Sequence, residues 1–98
     1  MPGAARLSDN STGHNCFPPR PNIQASSDVI INNRGAHRQS DAWMVHCRKC
    51  FPPKCHPGNL ASGSPTVFTN GLQQGRIGDP ISCADTVATG SGDVIVGP

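Results

Sequence analysis

The sequence has little with which to build a core. Val, Ile, Leu and Phe number 6, 6, 3 and 3, so 18 of 98 residues carry most of the apolar bulk. So low a fraction, joined to a high net charge, marks disordered chains. The formal charge here is only +2, so repulsion does not hold the chain open. Long helices are also disfavoured, because eleven Gly and ten Pro waste backbone entropy and remove donors. No apolar run reaches the length of a membrane span or of a signal-peptide core. The chain is therefore expected to fold in a reducing cytoplasm, without general secretory export. Neither the small charge nor the scattered basic residues point to nucleic acid or an anionic membrane as partner. What remains is a single domain, residues 1–98, with a thin core, many turns and need of a staple.

An internal repeat supplies the architecture. Asp28-Val29-Ile30-Ile31-Asn32-Asn33 matches Thr66-Val67-Phe68-Thr69-Asn70-Gly71 at an offset of 38 residues, which persists from Arg38-Gln39-Ser40-Asp41 to Arg76-Ile77-Gly78-Asp79. Each unit is a short β-branched run, a two-residue turn, a second run and Arg-x-x-Asp. Asn70-Gly71 is a strong type I′ hairpin signal because both positions need positive φ. Asn32-Asn33 is a weaker equivalent, since Asn tolerates that region better than other non-glycine residues. A third unit is split by the chain ends. Gly3-Ala4-Ala5-Arg6-Leu7-Ser8-Asp9 matches residues 35–41, and Asp93-Val94-Ile95-Val96 matches residues 28–31. The continued alignment sets Pro98 opposite Asn33 and Pro2 opposite Arg34. The expected fold is all-β: three pseudo-three-fold-related hairpins whose termini meet, leaving few free sheet edges. Segments 15–24 and 47–60 are expected to be loops or single turns.

The repeat also aligns metal-type ligands. His14 follows Asp9 by five residues, His46 follows Asp41 by five, and Cys83 follows Asp79 by four. Equivalent positions in three related hairpins gather around their common axis, where three such ligands and a fourth would complete a zinc tetrahedron. His56, in the long 47–60 connection, is the preferred fourth, with Cys47, Cys50 and Cys55 as rivals. Four protein ligands leave no place for substrate, so the ion would be structural. Its apparent binding free energy, on the order of 10 kcal/mol, is comparable with the whole stability of a domain. His37 lies elsewhere in the repeat and reads as packing or surface. The three Arg-x-x-Asp pairs, at 6–9, 38–41 and 76–79, read as turn-stabilising Asp with Arg packed between hairpins.

The remaining cysteines read first as ligands or free thiols and only second as disulfides, given the expected compartment. Cys47-x-x-Cys50 with Cys55 suggests a zinc knuckle for nucleic acid, aided by Arg48, Lys49, Lys54 and Phe51. A ribbon needs a second Cys-x-x-Cys, and there is none. Extra thiols, or a local disulfide formed after release, fit better. His14 or His46 with Cys83 can be drawn as a catalytic pair, yet zinc bound to both would cancel that chemistry. No enzyme is expected.

The hairpins carrying Gly3-Ala4-Ala5-Arg6, Gly35-Ala36-His37-Arg38 and Gln73-Gln74-Gly75-Arg76, each followed by x-x-Asp, resemble the PAAR-repeat family. So do Thr12-Gly13-His14, the run Ser64-Pro65-Thr66-Val67-Phe68-Thr69-Asn70-Gly71, and Gly78-Asp79-Pro80-Ile81-Ser82-Cys83. The resemblance covers nearly the whole chain. It implies a small sharp cone whose base sits on a trimeric β-helical spike, in phage tails or type VI secretion. One structural Zn2+ near the apex would be held by His14, His46, His56 and Cys83, which settles the fourth ligand. The implied function is to cap and sharpen that membrane-piercing spike, one chain per trimer, with transient contact to a target envelope. The alternative is the nucleic-acid module. Location would be a virion tail tip or the tip of a secretion apparatus, reached without a signal peptide. Some relatives carry a fused toxin; here the fold is expected to use Pro98, leaving effector cargo to other attachments. Only residues 3–6 keep the name-giving end of the motif, with Gly in place of its Pro, and Cys16, Cys47, Cys50 and Cys55 lie outside the usual ligand set.

Overall fold

Short β-branched runs between turn residues can pair only with their nearest neighbours, and the computed structural model, which describes residues 2–97, shows this pattern throughout. Eight strands run in order: β1 (Ile30–Ile31), β2 (Arg34–Gly35), β3 (Ala42–Cys47), β4 (Cys55–Asn59), β5 (Phe68–Thr69), β6 (Leu72–Gln73), β7 (Pro80–Ile81) and β8 (Asp85–Thr86). They pair consecutively into four antiparallel hairpins. There is no helix among the described residues, so none is long and apolar enough to cross a membrane. The molecule measures 40 × 24 × 20 Å along its principal axes.

The two repeat hairpins form as the sequence predicts. In β1–β2, Ile31 pairs with Arg34 around Asn32 and Asn33, whose φ values are 53° and 66°. In β5–β6, Thr69 pairs with Leu72 around Asn70 and Gly71, at 55° and 79°. Both central residues are left-handed in each case, as a type I′ turn demands. The split third unit also assembles: Gly3 bridges Ile95, the Ala4 amide donates to Val94 O at 2.9 Å, and Val96 N donates to Pro2 O at 2.9 Å. The alignment of Pro98 with Asn33 lies outside the described residues, as does Met1.

Equivalent residues then bond the three units to one another in cyclic order. Arg6 bridges Ala36, Arg38 bridges Gln74, and Arg76 bridges Ala4. Ala5 N donates to Gly75 O (2.9 Å), Gly75 N to His37 O (2.9 Å), and His37 N to Ala5 O (3.0 Å), which closes a ring. Small side chains permit this approach. A Cβ on Gly75 would lie 2.8 Å from Leu60 Cδ2 and 3.0 Å from His37 O. His37, the one large residue in the ring, is fully buried, with Nδ1 2.8 Å from Gln24 O and its ring edge-on to Trp43 at 5.2 Å. Of the two sequence readings for His37, packing holds.

Arg-x-x-Asp acts as a clasp in all three copies. Asp9, Asp41 and Asp79 are buried, and each accepts the backbone N–H of its own Arg, at 2.7, 2.9 and 2.8 Å. The second intervening residue, Ser8, Ser40 or Gly78, takes a φ of 74°, 75° or 92° to make the turn. Each guanidinium also grips its Asp, while Arg6 Nη1 and Arg38 Nη1 reach on to Asn32 and Asn70 of the next hairpin, at 3.0 and 2.9 Å. The Arg6 and Arg38 side chains thus bridge hairpins, as expected, while that of Arg76 bonds to Asp79 of its own turn.

One expectation is corrected. Segment 47–60 is loop only over residues 48–54: β3 and β4, at six and five residues, are the longest strands and pair Ala42 with Asn59, Trp43 with Gly58, His46 with His56 and Cys47 with Cys55. The register shifts between Trp43 and His46, and this irregularity accommodates Pro57. Segment 15–24 stays irregular, yet Ile23 N donates to Ala42 O and Met44 N to Pro21 O, so it flanks β3 as a third strand-like run. Ala5, Trp43, Leu60, Ile81 and Val87 form the core beneath, with Cys83 packed against it.

Two outcomes follow from this packing. Trp43→Ala should lower unfolding free energy by about 3–5 kcal/mol, read by urea denaturation; a loss under about 1 kcal/mol would place the core elsewhere. Burial depresses the pKa of His37, opposed in part by its bond to Gln24 O and by Asp41. The unfolded chain then binds the proton more readily, so stability is full above about pH 6.5 and falls as pH drops below it. His37→Gln should flatten the fall in melting temperature between about pH 6.5 and 5, and an unchanged slope would exclude His37 as its source.

Candidate metal centre

Four donors converge from separate parts of the fold. His14 sits in a tight reverse turn in which His14 N donates to Phe17 O (3.1 Å) and Phe17 N to His14 O (2.7 Å). Asn15 inside that turn has φ 50°. His46 on β3 and His56 on β4 are direct cross-strand partners. Cys83 lies in the turn between β7 and β8, beside Ala84 at φ 71°. The potential ligand atoms of these four residues all lie within 4.8 Å of one another. His56 Nε2 is 2.7 Å from His46 Nε2 and 3.1 Å from His14 Nε2. The register reading from the sequence brought His14, His46 and Cys83 together, and the β3–β4 hairpin delivers His56 to them.

The chemistry of the cluster asks for a cation. His46 Nδ1 stands 2.8 Å from Pro18 O, an acceptor, so this nitrogen carries the proton and leaves the Nε2 lone pair facing inward. His56 Nε2 faces two imidazole nitrogens at once, and one proton there can satisfy only one of them. Burial, followed by the neighbouring imidazoles, lowers the pKa of His56. Burial is also the first cause for His46, with nearby Arg20 adding to it. Both rings are thereby held in the neutral, lone-pair form that binds metal. In a tetrahedral site with bonds of about 2.0–2.3 Å, donors lie about 3.3–3.6 Å apart, a separation that falls between the 2.7 Å of His46 and His56 and the 4.8 Å limit of the cluster. Three imidazoles and one sulfur can hold a metal ion, and four such donors are the number a tetrahedral ion takes.

Two residues that the sequence did not flag enclose the cluster. The Phe17 ring packs at centroid distances of 4.8, 4.8 and 4.1 Å from His14, His46 and His56 and is only 8% exposed, so it shields the imidazoles from water. Arg20 is buried; its Nη2 donates to Cys83 Sγ at 2.8 Å, and its Nη1 to Met44 O and His56 O at 2.7 and 3.3 Å. Asp85 lies 3.9 Å away. A cation against the sulfur complements the negative charge of a metal-bound thiolate. The echo of Cys16-Phe17-Pro18-Pro19-Arg20 in Cys50-Phe51-Pro52-Pro53-Lys54 was the available signal.

The reading of the other cysteines as thiols or ligands is corrected. Cys16 bonds to Cys50 and Cys47 to Cys55, leaving Cys83 free. The cause is placement: Cys47 and Cys55 face each other across β3–β4, and Lys49 N donates to Cys16 O at 2.9 Å, setting Cys50 beside Cys16. The rival fourth ligands are thus consumed, and so is the sulfur set of a zinc knuckle. With sequence separations of 34 and 8, loop closure assigns about 3.8 and 2.6 kcal/mol to the two bonds.

The family model described as PAAR motif matches residues 12–89. A search of curated proteins finds no match.

Thiol titration of the denatured, unreduced chain should count one thiol, and five after reduction, matching the free Cys83 and two disulfides. Three or more thiols before reduction would refute the pairing.

Proposed function

Because the chain belongs to the PAAR-motif family, we propose that residues 1–98 act as one domain, a zinc-stiffened tip that caps a trimeric β-helical spike of a contractile injection machine. The family is a structural spike-tip family, located at tail tips or secretion apparatus, and catalysis forms no part of this reading. The observation that carries the proposal is the cyclic exchange of equivalent hydrogen bonds among three units of one chain. Such an exchange supports a pseudo-three-fold arrangement, in which a monomer offers three similar faces to three identical subunits.

A surface of suitable chemistry accompanies it. Val29 and Ile30, Val67 and Phe68, and Val94 and Ile95 occupy equivalent positions in the three units, and all six are exposed. Exposed apolar residues repeated in this way are what a partner face would bury. His14, His46, His56 and Cys83 would hold zinc, the ion that suits borderline nitrogen and thiolate donors in a closed tetrahedron. With no vacant coordination position the ion would brace its surroundings without activating water. The cone would then lead the spike into a target envelope, with effector cargo as a further partner.

Native mass spectrometry with a candidate spike trimer should show one chain per trimer, and Ile30→Asp with Phe68→Asp should abolish the complex. Three chains per trimer, or binding indifferent to both substitutions, would overturn the symmetry reading. Purified protein should carry one zinc per chain, and His46→Ala should lose it; full zinc retention by that variant would remove His46 from the ligand set.

A further inference from the structure

Each histidine of the metal cluster is within two residues of a disulfide. His14 precedes Cys16 by two positions, His46 directly precedes Cys47, and His56 directly follows Cys55. Cys47–Cys55 closes the rung next to the His46–His56 pair, and Cys16–Cys50 ties the His14 turn to the tip of that same hairpin. The noncovalent ties between these pieces, through Arg20, the His46 Nδ1–Pro18 O contact and Met44 N to Pro21 O, do not reach the hairpin tip. Residues 49–55 are all exposed, and Phe51 is 90% exposed, so the hairpin tip gains no stability from burial. Its backbone bonds there are Arg48 N to Lys54 O at 2.8 Å and Lys49 N to Cys16 O at 2.9 Å. Phe17 is buried, but its ring contacts are the three imidazoles themselves and Arg48. Segments with so few buried contacts open locally at low free energy unless covalently held.

We propose that Cys16–Cys50 and Cys47–Cys55 are positioning residues for the metal centre: they fix the three imidazoles so that the ion is retained, and their reduction opens the site. The inference rests on the metal-centre reading above. It makes ion retention a function of redox environment, loose where disulfides are reduced and locked where they persist. A phosphine reductant would cleave each S–S bond. Phosphorus donates two electrons and leaves as the phosphine oxide with oxygen from water, while the two sulfurs take up the two protons of that water.

The test follows zinc release from the loaded full-length chain into a chromophoric chelator, with and without a phosphine. Release should accelerate at least tenfold on reduction, and each of the double variants Cys16→Ser/Cys50→Ser and Cys47→Ser/Cys55→Ser should show part of that gain unreduced. The cobalt-substituted protein should lose its tetrahedral ligand-field bands on reduction and regain them on reoxidation. Val96→Ala, which removes buried volume in the segment bonded to Pro2, controls for general destabilisation and should leave the release rate within about twofold. Reductant added to folded wild type keeps the test sharp even where a double variant fails to fold. An unchanged rate overturns the clamp, and so does slower release, as would occur if the four freed thiols captured the ion. An oxidised chain that binds no zinc or cobalt removes the metal-centre reading itself, a separate result from a bound ion indifferent to reduction.

Discussion

Three amides donating in turn around a closed ring, Ala5 to Gly75, Gly75 to His37 and His37 to Ala5, are the contact on which the rest of the structure depends. Two-residue strands cannot stand alone, because isolated hairpins are marginal in water. Here each short hairpin is held by seams to two neighbours, and the backbone groups that would form exposed edges are used between units. The Arg-x-x-Asp clasps fix the turns beside the seams, and those of Arg6 and Arg38 join a turn in one unit to an Asn in the next. A chain this poor in large apolar residues therefore reaches a defined fold through backbone pairing and buried polar clasps, with a small core of Ala5, Trp43, Leu60, Ile81 and Val87 behind them.

The histidine–cysteine cluster is a product of the same arrangement at a different level. Units that repeat their hydrogen bonds also repeat the direction in which the chain leaves each Asp, and this brings His14, His46 and Cys83 toward one place. His56 arrives by another route, as the cross-strand partner of His46. Arg20 links the two routes, touching the Cys83 sulfur and the carbonyl of His56. Ligand geometry is thus set by elements far apart in sequence, while the cystines and Phe17 close it locally.

The hairpins at 28–35 and 66–73 were legible because the offset of 38 residues aligns turn residues whose φ requirements are unusual. The convergence of His14, His46 and Cys83 was legible for the same reason. The β3–β4 hairpin was hidden, since Pro52, Pro53, Pro57 and Gly58 carry the marks of a loop and the register irregularity that tolerates Pro57 leaves no period-two pattern. Disulfide connectivity was hidden because spacing alone does not say which sulfurs meet, and because the expected compartment weighted the reading toward thiols. Arg20 and Phe17 escaped notice because their contacts span 63 residues to Cys83 and 39 to His56. A second repeated device, Ser26, Ser64 and Ser91 accepting the amides of Val29, Val67 and Val94 at 2.9, 3.0 and 2.8 Å, also went unread. Ser and Asp are common enough in turns to pass as ordinary polar residues.

The seam between residues 2–4 and 94–96 sets the order of assembly. Its two sides lie about 90 residues apart in the chain, so the first must wait unpaired while the four local hairpins can already form. Topologies dominated by such distant pairings fold slowly, because loop entropy must be lost before the contacts that offset it can form. This seam is thus expected to close after the ring of Ala5, His37 and Gly75, and a chain that lacks it would expose strand edges that the folded molecule conceals.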